Sequence, residues 1–185
     1  SLSTPKNRSG YVLRGRLPNG GNVRDTVFLN RGFSWEAPED GGFLRVGHRF
    51  TDSSRWYGWF FYFRWNYNAP EVRYYIFSSS ALQKSPDYLK VRGEVRTTAY
   101  FGNAGNVFTQ NLTAMKTNIA ASDLGITPPG FGDLVFNQTS GPEVILNGKT
   151  IREIVMYGDS AITLGKLQRT KYPMSLLTTI NTVVS

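Results

Sequence analysis

The chain contains no cysteine. That excludes a disulfide framework and a cysteine-based zinc site. It sets no compartment, because a well-cored domain needs no disulfide anywhere. A single histidine, His48, is present, so no His-rich metal spacing exists. A lone histidine on a strand is expected to pack or hydrogen-bond rather than to catalyse. No run approaches the roughly 18 consecutive apolar residues of a membrane-spanning helix. Ser1–Gly10 is polar and lacks an apolar h-region, so no signal peptide is expected, although a mature chain would have lost one. P-loop and GxGxxG motifs are absent, and no cofactor is expected. Glu36, Glu39 and Asp40 group three carboxylates, but their spacing does not match an EF-hand loop, and a solvated turn is expected.

Acidic residues are scarce. There are 13 Asp and Glu against 21 Lys and Arg, for a net charge of +8. The excess is uneven: residues 1–100 hold 15 basic and 8 acidic side chains, and residues 101–185 hold 6 and 5. This favours a polyanionic partner, such as nucleic acid, on the N-terminal half. Solubility is the alternative explanation. An arginine-rich arm of the kind that neutralises nucleic acid is not part of this sequence.

Aromatic residues are abundant. From Trp56 to Phe63, seven of eight residues are aromatic and the other is Gly58. Arg55–Tyr67 reads as a long strand. Asn68-Ala69-Pro70 is a turn signal, and Val72–Phe77 reads as the returning strand of a hairpin. Alternation puts Tyr57, Trp59, Phe61, Phe63, Trp65 and Tyr67 on one face, and Trp56, Gly58, Phe60, Tyr62, Arg64 and Asn66 on the other. The first face can anchor a core, since each buried aromatic removes roughly 150–250 Å² from water. The second is mixed. It is expected to lie under a second sheet, to form a subunit interface, to stack on sugars, to stack on bases beside Arg55 and Arg73, or to sit at a membrane surface. The candidate binding residues are therefore Trp56, Phe60, Tyr62, Arg64, Arg55 and Arg73.

The rest of the chain reads mainly as short strands. These are Tyr11–Leu17 and Val23–Leu29 around a Gly/Asn turn, Gly32–Trp35, Phe43–Phe50, Tyr88–Phe101 with Gly93 as a bulge, Val107–Thr109 and Leu134–Phe136. Val144–Leu146 and Thr150–Tyr157 read as a hairpin around Asn147-Gly148. Ala161–Leu167 and Leu176–Val184 close the sequence as strands. Leu112–Leu124 is the one good helix, with Asn111 as its cap and Gly125 as its end. The length fits one domain, 1–185, able to bury about 70% of its unfolded surface. The expected fold is all-β, an antiparallel β-sandwich or jelly roll with one short helix.

Ile154–Ser160 (IVMYGDS) resembles the strand-plus-Gly-Asp-Ser block of SGNH-type hydrolases. In that family the serine lies near the N-terminus and an Asp-x-x-His block follows near the C-terminus. Here no histidine follows Ser160 and His48 lies upstream, so the block carries no assignment. Nothing marks a paired-carboxylate glycosidase site. The Asn-x-Ser/Thr triplets at Asn7, Asn111 and Asn137 are about as many as chance supplies.

The expected function is that of a non-enzymatic structural protein: a self-assembling, capsid- or coat-like subunit, found in a virion or outside the cell. It would be a homo-oligomer with nucleic acid or a glycan as partner. The alternative is a carbohydrate- or receptor-binding β-sandwich, with a membrane-active β protein third.

Overall fold

The computed structural model describes Val23, Thr26, Val27, Asn30 and residues 44–47, 50–52, 55–57, 60–63, 85–89, 93–94, 106–165 and 167–185. Within 106–185 the described residues form three α-helices: α1 (Val107–Asp123), α2 (Ile151–Leu164) and α3 (Met174–Val184). Short strands precede them: β1 (Leu44–Gly47), β2 (Phe50–Asp52), β3 (Arg55–Tyr57), β4 (Phe60–Phe63) and β5 (Gly93–Glu94). Where side-chain placement is also described, 58% of residues are helical. That overturns the all-β sandwich or jelly roll.

The local physics explains each replacement. α2 begins at a capping box. Glu153 N–H donates to the Thr150 hydroxyl at 3.1 Å, and Thr150 N–H donates to the Glu153 carboxylate at 3.0 Å. Its buried residues include Ile151, Ile154, Val155, Gly158, Asp159 and Ile162, a spacing of three and four that belongs to a helix. The expected hairpin of 144–146 with 150–157 is therefore absent. Pro142–Leu146 is a 3₁₀ turn instead. Asn147-Gly148 does turn the chain, with Gly148 at φ 85°, but it pairs back onto an earlier segment. Phe136 N–H donates to Lys149 O at 2.9 Å, and Gly148 N–H to Phe136 O at 3.0 Å. The expected strand Leu134–Phe136 is reduced to a single bridge between Val135 and Thr150.

α3 replaces the last expected strand. Its β-branched content suggests a strand, yet Leu176, Leu177, Ile180, Val183 and Val184 are buried at helical spacing. Its threonines turn their hydroxyls back along the helix: Thr179 donates to Ser175 O at 2.9 Å and Thr182 to Thr178 O at 3.0 Å. The strand expected at Ala161–Leu167 is likewise the end of α2 and the turn after it.

α1 is the expected helix, begun five residues earlier. Asn106, not Asn111, is the cap. Its side chain accepts from Phe108 N–H at 2.9 Å and Thr109 N–H at 3.3 Å. Val107–Thr109, expected as strand, is its first turn. Gly125 follows the helix with φ 74°, a left-handed conformation that favours glycine at this stop. Nearly every residue of α1 is buried. Asn111 itself is 2% exposed and donates to Asn181 of α3 at 2.8 Å, which removes it from consideration as a glycan acceptor in the folded chain.

In the N-terminal part, Val23, Thr26 and Val27 are helical rather than strand. Leu44–Gly47 is a strand as expected, but all four residues are buried instead of alternating. The aromatic stretch does not act as one strand. β3 pairs antiparallel with β2, whereas β4 pairs antiparallel with β1 and parallel with β5. Gly93 lies in β5 opposite Phe61. Of the strand expected at Tyr88–Phe101, Tyr88 and Leu89 are irregular and buried. Leu89 N–H donates to Ile162 O at 3.0 Å, occupying one of the carbonyls that the last turn of α2 leaves open. Val72–Phe77, Tyr11–Leu17, Gly32–Trp35, His48 and the Glu36, Glu39 and Asp40 turn lie outside the described residues.

One hydrophobic cluster joins these parts. It contains Val27, Leu44 and Val46 from the N-terminal part and Phe108, Leu112, Ile119, Ile154, Leu177 and Ile180 from the helices. Each such side chain contributes roughly 1.5–3 kcal/mol of burial. No described helix is long and apolar enough to cross a membrane.

Candidate functional site

The most unusual chemistry among the described residues sits inside this core. Lys116, midway along α1, and Asp159, midway along α2, form an ion pair whose side chains are 0% and 6% exposed. β1 closes the pair with its backbone. The Lys116 ammonium also donates to Arg45 O at 2.6 Å, and Gly47 N–H donates to Asp159 Oδ1 at 3.0 Å. Gly47 has φ 97°, a conformation L side chains rarely adopt, and glycine allows it here. One strand and two helices thus meet at a single buried charge pair.

The electrostatics follow from this enclosure. Burial lowers the Lys116 pKa below its ordinary value, opposed by the attraction of Asp159. Burial raises that of Asp159, opposed by Lys116, by the Gly47 N–H and by the charge of Arg45. Loss of water is the dominant cause at both ends. Removing two charges from water is costly, and the hydrogen bonds from and to β1 offset part of that cost. Such a pair fixes which elements lie together. It is sealed from solvent, and its carboxylate and ammonium are engaged with each other and with backbone.

The Gly158-Asp159-Ser160 block lies within α2 and not at a strand end. A nucleophile at a sharp strand-to-helix turn is therefore not what these residues build. Asp159 is committed to Lys116. Gly158 makes room for side chains of α1: a Cβ there would lie 2.9 Å from Leu112 Cδ2 and 3.2 Å from Phe108 Cζ.

Of the residues singled out for binding, Phe60 and Tyr62 share β4. Phe60 lies opposite Gly47, and Tyr62 opposite Arg45, the two residues whose backbones hold the ion pair. Arg55 and Trp56 lie on β3, opposite Asp52 and Thr51, in a different pairing. Arg64 and Arg73 lie outside the described residues. Sequence reasoning missed Lys116 and Asp159. The one available signal was a lysine and an aspartate each flanked at helical spacing by apolar residues.

A second connected group lies on the helical unit. Tyr157 and Tyr172 meet edge to face with centroids 6.2 Å apart, and the Tyr88 hydroxyl donates to Tyr172 O at 2.5 Å. Lys149, Lys171 and Arg169 lie over the rings of Tyr157, Tyr172 and Tyr88 at 5.3, 5.4 and 5.6 Å. Among the described residues no group of three or more His, Cys, Asp or Glu side chains could hold a metal ion. Comparison with protein-family models, with curated proteins and with solved structures finds no match to this chain.

Proposed function

We propose that the chain is a non-enzymatic structural protein that assembles with copies of itself. The observation that carries this reading is the number of exposed aliphatic side chains on the connection between α1 and α2. Leu134, Val135 and Ile145 are 53%, 60% and 59% exposed there, beside a core in which most side chains are fully buried. Single exposed aliphatics are ordinary, but with Leu124 and Val144 at 40% and 38% there are five on this one connection, which suits a contact surface.

The coat-like form of this reading rested on a jelly-roll pattern that α2 and α3 replace, and it is not carried forward. The carbohydrate-binding sandwich loses the same premise. The basic N-terminal half still suits an anionic partner, with Trp56, Phe60, Tyr62, Arg64, Arg55 and Arg73 as the residues to vary in it.

Light scattering after size exclusion tests the assembly. The wild type is expected to exceed the monomer mass. A Val135→Asp, Ile145→Asp variant is expected to fall to the monomer with an unchanged circular dichroism spectrum. A wild type that stays monomeric at every concentration would overturn the reading.

A further inference from the structure

The basic side chains of residues 101–185 divide into two groups. Lys116 is paired with Asp159, and Arg152 with Asp123 and Asp133. Lys149, Arg169 and Lys171 have no ion-pair partner among the described residues, and all three lie over the connected tyrosines. Lys166 lies outside the described residues. Residues 160–185 contain no Asp or Glu at all. The acid nearest in sequence to Lys149 is Glu153, whose carboxylate accepts from Thr150 N–H in the cap of α2 and also feels the charge of Lys149 without forming an ion pair with it.

We infer that Lys149, Arg169 and Lys171, held on the linked rings of Tyr157, Tyr88 and Tyr172, form a contact surface for the phosphodiester backbone of a nucleic acid. The inference is independent of self-assembly. The rings are fixed: Tyr88 and Tyr172 are 6% and 5% exposed and are joined through the Tyr88 hydroxyl. A cation resting on a fixed ring has fewer conformations to lose when it meets a phosphate, and the charges of Arg169 and Lys171 are not engaged by a carboxylate among the described residues. Arg169 and Lys171 are exposed and Lys149 is half-buried, so the charges are accessible. With two of the rings buried, there is little aromatic surface for bases to stack on, and contact through charge follows. That kind of binding is insensitive to sequence and weakens steeply with salt. The same burial argues against a membrane surface, which would favour exposed aromatic side chains at the headgroup level.

Fluorescence anisotropy of a labelled oligouridylate, titrated with the full chain over a range of salt, tests this. The slope of log affinity against log salt is expected to fall by about 2 in the Lys149→Gln, Arg169→Gln, Lys171→Gln variant, at roughly 0.7 per lost contact on a single strand. The charge-preserving variant Lys149→Arg, Arg169→Lys, Lys171→Arg is expected to keep the wild-type slope, with the same circular dichroism spectrum for all three proteins. Absence of binding by the wild type would overturn the inference. So would an unchanged slope in the glutamine variant, or a loss in the charge-preserving variant equal to that in the glutamine one. Binding to phosphatidylserine vesicles without binding to the oligonucleotide would also overturn it.

Discussion

At the scale of single residues, Lys116 and Glu153 show opposite uses of charge. Lys116 is fully buried, and its loss leaves Asp159 enclosed without its ion-pair partner. Lys116→Met is expected to destabilise the fold by about 3–5 kcal/mol in urea unfolding. Glu153 is exposed and acts through the cap of α2. Hydrogen bonds with Thr150, backbone first and then side chain, hold its pKa below the ordinary 4.5. A depressed carboxylate contributes stability that is fully present above its unfolded pKa and is lost as pH falls through its folded one. Wild type is therefore expected to lose stability relative to Glu153→Gln on acidification below about 4.5, and to hold its advantage at neutral pH. Urea midpoints of the two proteins between neutral and acid pH check the sign. Thr150→Ala removes the other half of the box and is expected to cost about 1 kcal/mol.

At the scale of elements, α2 is fixed at both ends, and its C-terminal end packs against Tyr88. A Cβ at Gly165 would overlap the Tyr88 ring and the Ala161 carbonyl. Gly165→Ala is expected to destabilise by about 1–3 kcal/mol through overpacking, and to move a thermal midpoint down by several degrees. This scale also separates what was legible in the sequence from what was not. α1 was visible because Leu112, Met115 and Ile119 repeat at helical spacing and Gly125 stops them. Asn147-Gly148 is a strong hairpin signal, whereas the Thr150-x-x-Glu153 cap that follows directly starts α2. The turn is real, but its partner is Phe136 and not the residues after it. α3 was misread because threonine and valine favour strands in isolation, whereas tertiary burial on one face selects the helix. The aromatic run was legible as β structure and illegible in its pairing. Alternation says nothing about which strand lies alongside, and β3 and β4 take different partners. The ion pair was hidden for a related reason. Lys116 and Asp159 are 43 residues apart in sequence, and only the packing of α1 on α2 brings them together.

At the scale of the whole molecule, Lys116 and Asp159 tie the helical unit to β1, and through β1 to the aromatic strand β4. On this account the charge pair acts as architecture. Equilibrium urea unfolding of wild type, Lys116→Met, Asp159→Leu and the double variant tests it most directly. Each single variant is expected to lose several kcal/mol, because each leaves one buried charge unpaired. The double variant is expected to be more stable than either, because neither half of the pair is left without the other, although Gly47 N–H and Arg45 O lose partners and the buried Arg45 loses the nearby carboxylate. Single variants within about 0.5 kcal/mol of wild type, or losses that simply add in the double variant, would contradict it.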